Sequence, residues 1–320
     1  MGQKILVVGT GSIGCRHVRN LQSLGCTDIA AYDADPRLLK ARCKELKIDE
    51  ASDYQAELDK SDAMIVCSPP SSHVDYAIKA LQKDKYVFLE KPVASDLSEA
   101  RKLLDHQDRI MVGYNVRYHP LLAWIEEVLP TLGKIFNVQM EYAYDLRNAR
   151  PNVDYRDGYY AKPGEGGLLL DHSHELDYAR QLFGPFRSVF CSTGKVSDLE
   201  IDSEDNANLV LQSNEGFPVV LHFDYIQRRY ARNIKIVAED GVLTGDFAAG
   251  CASLLRIDAD AVSKKFPTSF DETYIAEMKD FLQMLGGERS APVTLASAIA
   301  TLEICEAARE SNRTARVVDL

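Results

Sequence analysis

Three groups of residues have types and spacings suited to chemistry. Gly9-Thr10-Gly11-Ser12-Ile13-Gly14 is a GxGxxG run that follows the apolar stretch Ile5-Leu6-Val7-Val8 and opens an amphipathic segment. In that setting Gly9 permits a tight turn, Gly11 lets the backbone approach a pyrophosphate, and Gly14 lets a helix pack closely on a strand. The helix N–H groups then face the anion, and Thr10, Ser12 and Ile13 complete the loop. Asp33 ends the next apolar stretch, 19 positions after Gly14, where a carboxylate accepts hydrogen bonds from the ribose hydroxyls of an adenine dinucleotide. That favours NAD over NADP, because a 2′-phosphate would meet like charge, although Arg37, one helical turn on, could partly offset the repulsion. The third group is Asp171-His172-Ser173-His174. Asp171 and His174 are three apart, so on a helix they share a face, and a near-neutral imidazole suits proton transfer. His172 competes for that role, but its place beside Asp171 turns it to a different helix face.

The elements that must position these residues are legible from periodicity. Short apolar runs at Lys4 to Val8, Asp28 to Tyr32, Ala63 to Cys67, Tyr86 to Leu89 and Arg109 to Gly113 read as strands buried on both faces. Helices belong between them. The first runs from about Ser12 to Leu24 and stops at Gly25, and another begins near Asp96, where Asp96 and Glu99 have capping-box spacing. The pattern is that of a doubly wound parallel sheet. After Tyr114 the segments Lys134 to Tyr144, Ala207 to Gln212, Pro218 to Tyr225 and Asn233 to Glu239 alternate as antiparallel strands do. Glu239-Asp240-Gly241 reads as the turn of a hairpin whose second strand is Val242 to Asp246. Helices over about Glu272 to Leu285 and Leu295 to Arg309 close the chain. The expected organisation is an α/β Rossmann domain over 1–118 and an α+β domain over 119–320 with a large, mostly antiparallel sheet.

A chain of 320 residues, 46% hydrophobic and 27% charged, has the make-up of an ordinary two-domain globular protein. Its net charge of -11 argues against a nucleic-acid partner, which needs a concentrated basic face. Seven scattered cysteines without a CxxC give neither a disulfide framework nor a zinc site. No metal is expected, and a reducing, cytoplasmic compartment is. The strand so close to Met1 leaves no room for a signal peptide, and no apolar run approaches membrane-spanning length.

Further motifs extend the pattern: Cys67-Ser68-Pro69-Pro70 with His73 after the third strand, Glu90-Lys91-Pro92 after the fourth, Tyr114-Asn115-Val116-Arg117-Tyr118 after the fifth, then Gly166-Gly167, Asp171, His174 and Asp177. In this order, over nearly the whole chain, they resemble the Gfo/Idh/MocA oxidoreductases. The resemblance implies that Ser68, Pro69, His73, Glu90 and Lys91 border the dinucleotide. It also implies that Lys91 polarises the reacting hydroxyl, that His174 is the general base and that Asp171 orients the substrate or the imidazole. An ammonium beside an oxygen that gains charge stabilises the transition state. One departure stands out: common members read Asp-x-Gly-x-His, whereas Asp171-His172-Ser173-His174 is one residue shorter and has Ser for Gly.

Asn115, Arg117, Tyr118 and His119 follow the fifth strand, at the sheet edge where open α/β folds bind ligands. Arg147, Tyr155 and Arg156 lie upstream of the Gly164-Glu165-Gly166-Gly167 loop. Guanidinium groups there suit an acidic or phosphorylated sugar, with surface ion pairs as the alternative for each arginine. The expected activity is a dehydrogenase or reductase acting on a sugar, a cyclitol or a nucleotide sugar. Two readings stay beside it, a lyase or glycosidase that oxidises its substrate transiently and a non-catalytic dinucleotide-binding sensor. Alternating strands such as Pro218 to Tyr225 lead us to expect a homodimer or homotetramer.

Overall fold

The computed structural model describes residues 2–149, 154–161 and 166–320. It divides into two compact units, one of residues up to Asn115 with Asp271–Ala300, the other of Val116–Phe270 with Thr301–Leu320. A single boundary at 118/119 does not provide for the return of Asp271–Ala300 to the first unit. Packing explains that return: the ring of Phe281 meets Phe88 edge-on at 5.5 Å, and the Val293 carbonyl accepts the Val112 N–H at 3.1 Å.

In the first unit, β1 (Ile5–Val8), β2 (Ile29–Tyr32), β3 (Asp49–Glu50), β4 (Ala63–Val66), β5 (Tyr86–Glu90) and β6 (Ile110–Gly113) form one sheet in the order β3-β2-β1-β4-β5-β6. Every pairing is parallel. Apart from β3, the strands are nearly continuous apolar runs because helices cover both faces. Those helices are α1 (Ser12–Ser23), α2 (Pro36–Leu46), α3 (Tyr54–Lys60), α4 (His73–Leu81) and α5 (Leu97–Arg101). Asp35, Asp53 and Asp96 cap the starts of α2, α3 and α5. Gly25 lies just past α1 at φ 89°, the left-handed conformation that ends helices. Strand β3 escapes the sequence pattern because it is two exposed acidic residues on the sheet edge.

The second unit holds α6 (Pro120–Val128), β7 (Ile135–Asp145), α7 (Leu168–Asp171), α8 (Ser173–Phe183), β8 (Phe186–Gly194), β9 (Asn206–Ser213), β10 (Pro218–Asp224), β11 (Ile226–Ala238), β12 (Gly241–Asp246), β13 (Cys251–Arg256), β14 (Val262–Lys265) and β15 (Val318–Asp319). The remaining helices are α9 (Asp271–Leu285), in the first unit, and α10 (Leu295–Thr314). The nine strands run β14-β13-β12-β11-β7-β10-β9-β8-β15. All pairs are antiparallel except β10 with β7, which is parallel. The sheet is thus mostly antiparallel, as expected, and the exception arises because the turn from β10 to β11 passes around the end of β7. Asp224 holds the turn by accepting the N–H groups of Ile226 and Gln227 at 2.9 and 2.7 Å. Strand β11 begins seven residues before the expected Asn233, because Arg232 buries its charge against Glu175 at 2.6 Å and so breaks the apolar alternation. Among the described residues no helix is long and apolar enough to cross a membrane.

Candidate active site

In the first unit the site is assembled at the C-terminal ends of neighbouring strands. The chain leaves β1 through Gly9, at φ 92°, where an added Cβ would lie 2.7 Å from the Cys67 carbonyl. A Cβ on Gly14 would overlap the Gly9 carbonyl oxygen, whereas one on Gly11 would meet nothing within 4 Å. The first and third glycines therefore serve packing, and the second leaves open room. Helix α1 begins on Gly11 with no side-chain cap and no acidic residue in its first turn. Its leading N–H groups are available to an anion, which fits a dinucleotide pyrophosphate. Asp33, just past β2, accepts the Thr10 N–H at 2.6 Å and the Thr10 hydroxyl at 2.8 Å, and its other oxygen accepts the Asp35 N–H at 3.0 Å. The carboxylate is thereby fixed beside the Gly-rich turn.

Ser68 and Pro69 follow β4, and His73 is the buried first residue of α4. Its ring spans two loops, with Nε2 2.7 Å from the Ser68 carbonyl oxygen and Nδ1 2.9 Å from that of Pro92. Burial lowers the imidazole pKa against the pull of those carbonyls. Glu90 ends β5 and Lys91 follows, with the Lys91-Pro92 peptide cis. One Glu90 oxygen lies 2.6 Å from His17 Nε2, and the other accepts the Lys91 backbone N–H at 3.1 Å. The turn carrying Lys91 is thus held from beneath by a buried carboxylate. Asn115 is buried and donates to the Thr273 hydroxyl at 2.7 Å, which gives its amide a place in the interior of this unit.

In the second unit Asp171 ends α7 and His174 lies in the first turn of α8. The two do not share one continuous helix, because His172, at φ -88° and ψ 17°, separates α7 from α8. The Asp171 carboxylate is held by three phenols absent from the sequence reading. The hydroxyls of Tyr144, Tyr225 and Tyr159 donate to it at 3.1, 3.0 and 2.6 Å. Burial, and then the Asp171 charge, push the Tyr144 and Tyr225 hydroxyls well above their usual pKa, so both remain donors. His172 is fully buried among Tyr142, Tyr225, Phe223 and Tyr144, with ring centroids 4.3 to 5.5 Å away. His174 is half-exposed. Of the two histidines, only His174 has a surface that a ligand can reach.

Two segments that together span most of the chain match known sequence profiles. The oxidoreductase family with an NAD-binding Rossmann fold matches residues 3–118, and the GFO/IDH/MocA C-terminal domain matches residues 130–244. The chain belongs to the Gfo/Idh/MocA oxidoreductases. Its N-terminal part is the NAD-binding Rossmann domain of that family. The chain is 25% identical to an uncharacterized oxidoreductase of Bacillus subtilis, over 95% of this chain and 93% of that protein. It is 24% identical to an inositol 2-dehydrogenase of Rhizobium meliloti, over 95% of each. A levoglucosan dehydrogenase solved with NADH has the same fold, with a TM-score of 0.89 and 18% identity over 100% of this chain and 99% of that one.

This oxidoreductase employs several of the expected substrate residues in its own framework. Arg117 forms a bidentate pair with buried Asp177, at 2.6 and 2.5 Å. His119 caps α6 by accepting the Leu121 N–H at 3.2 Å, with its ring between Phe247 and Phe270. Arg147 pairs with Asp145, and exposed Arg156 with Asp154 and Glu200. Tyr155 accepts the Glu200 N–H at 3.3 Å. Tyr118 is half-buried in the short 3-10 turn after β6. Gly164 and Glu165 of the Gly-rich loop lie outside the described residues, whereas Gly167, at φ 96°, leads into α7.

Proposed function

We propose that the protein transfers a hydride between a nicotinamide and a hydroxyl or carbonyl carbon of a sugar, a cyclitol or a nucleotide sugar. The observation that carries this reading is Lys91, set directly on the end of a central Rossmann strand with its backbone held by buried Glu90. In alcohol oxidation the hydroxyl proton passes to the His174 imidazole while the Lys91 ammonium stabilises the charge developing on the oxygen. A nicotinamide held there would supply the hydride acceptor in that direction and the hydride donor in reverse. Asp171, fixed by its three phenols, orients a substrate hydroxyl or the imidazole. The α1 N-terminus and Asp33 hold the pyrophosphate and ribose, and the carboxylate favours NAD over NADP. The likeness to an inositol 2-dehydrogenase supports a polyhydroxylated substrate.

Nicotinamide absorbance tests the reading, with NAD or NADP offered beside inositols, sugars, sugar acids and nucleotide sugars. Turnover that disappears in both Lys91→Ala and His174→Ala is expected. A cofactor that binds but shows no net reduction with any substrate would overturn the net dehydrogenase reading. The reading extends to assembly as a homodimer or homotetramer. Phe190, Val210 and Val220 are paired across β8, β9 and β10 and are 37 to 40% exposed, an apolar row on a sheet face. Light scattering that finds only monomer at micromolar concentration would end that extension.

A further inference from the structure

Glu277, on α9 in the first unit, is fully buried, and neither of its carboxyl oxygens has a hydrogen-bond partner among the described residues. One polar atom each from Glu277, His17 and Glu90 fall within 4.8 Å of one another. Among the described residues, the groups that face Glu277 are Glu90 from β5, His17 from α1 and the Cys67 thiol at the end of β4. None is a permanent cation. Two carboxylates buried this close together are strongly disfavoured unless a proton or a cation neutralises one.

The geometry favours a proton. His17 and Glu90 are in direct hydrogen-bond contact at 2.6 Å. The second ring nitrogen of His17 is buried without a partner among the described residues, whereas an imidazole that binds a metal almost always donates its other N–H to an acceptor. Burial, and then the Glu90 charge, push the Glu277 carboxyl well above the ordinary carboxylate range. Glu90 already has two hydrogen bonds, to His17 and to the Lys91 N–H. What it lacks is any tolerance for a second negative charge.

We propose that Glu277 is a positioning residue for Lys91: as an uncharged acid it leaves the Glu90 carboxylate in place between His17 and the Lys91 N–H, and so fixes the turn on which Lys91 stands. The proposal rests on the role given to Lys91 above. Once Glu277 loses its proton, repulsion drives Glu90 away from the Lys91 N–H, and Lys91 moves with it. Stability carries the same signature. A carboxyl whose pKa is raised on folding stabilises fully below its unfolded value, and that stabilisation is lost as pH rises toward the folded value.

The full-length protein and its Glu277→Gln variant decide the matter through kcat and NADH affinity between pH 6 and pH 10. In the wild type both should decline at high pH, with kcat falling about tenfold per pH unit beyond the transition. The variant carries a neutral isostere, so it should match the wild type at low pH and lack this decline. Its melting temperature should exceed that of the wild type increasingly as pH rises. An identical alkaline limb in both proteins overturns the proposal, as does a variant whose kcat is reduced equally at every pH. A stoichiometric divalent cation in the purified protein that Glu277→Gln loses would also overturn it. If Lys91→Ala retains turnover, the role of Lys91 fails; if it abolishes turnover while Glu277→Gln keeps the alkaline limb, only the positioning proposal fails. NADH affinity, read by fluorescence, needs no substrate, and folding of the variant is checked by its melting curve.

Discussion

The Glu90-Lys91 turn and the Asp171–His174 segment each set up a polar side chain for work, and they do so by opposite means. The first is an outgrowth of a parallel sheet, so strand pairing places Lys91 and one buried carboxylate restrains it. The second sits at a break between two helices, and phenols from residues 144, 159 and 225 fix its carboxylate. Position in one case comes from a regular element. In the other it comes from side chains gathered from distant parts of the chain.

The sharpest way to break that comparison is at its histidines. His174→Ala should lower kcat by about 10²–10⁴-fold, the usual worth of a general base, with NADH affinity unchanged. His172→Phe, which keeps an aromatic ring in a fully buried aromatic cage, should retain turnover. If His172→Phe loses as much activity as His174→Ala, the assignment of the base is reversed.

Arg117 gives the next largest effect, and it is read in stability. Asp177 is buried and its carboxylate is engaged by that guanidinium. Arg117→Ala should therefore cost about 3–5 kcal/mol, because it leaves a buried charge without its partner. Denaturant titration measures this, and a stable Arg117→Ala protein with an increased KM for anionic sugars would return Arg117 to the substrate. Asp171→Leu tests the second region itself. It leaves the buried Tyr225 hydroxyl and the half-buried Tyr144 hydroxyl without this acceptor, at about 1–3 kcal/mol for the first and less for the second, and replacing those tyrosines with Phe in the same background should recover part of the loss.

The same contrast explains what was legible in the sequence. The five longer strands of the parallel sheet, the Gly9–Gly14 turn and Asp33 are readable because continuous apolar runs and glycine spacing report sheet ends directly. The two-residue β3 and the early start of β11 are not, since acidic edge residues and a buried arginine carry no apolar period. Asp171 and His174 could be named by resemblance, but a spacing of three suggests one helical face and gives no sign of the break at His172. Tyr144, Tyr159 and Tyr225 look like ordinary strand and loop aromatics until folding brings their hydroxyls to one carboxylate. His17 and Glu277 read as polar positions on amphipathic helices, and only their burial beside Glu90 marks them.

The smallest effect belongs to the region built from regular elements, and there a local signal suffices. Asp96 caps α5, accepting the Glu99 N–H at 3.0 Å and the Ser98 hydroxyl at 2.7 Å. The Ser98 hydrogen bond, and then the Glu99 N–H, lower its carboxyl pKa below the ordinary value. A carboxyl lowered on folding stabilises above its unfolded pKa, and that contribution is lost as pH falls through the folded value. Asp96→Ala should thus cost about 1 kcal/mol at neutral pH, and the difference from wild type should shrink on acidification. Asp96→Asn keeps a capping oxygen and should lose less. A loss for Asp96→Ala that stays constant down to acid pH would mean that the cap acts through packing and not through its charge.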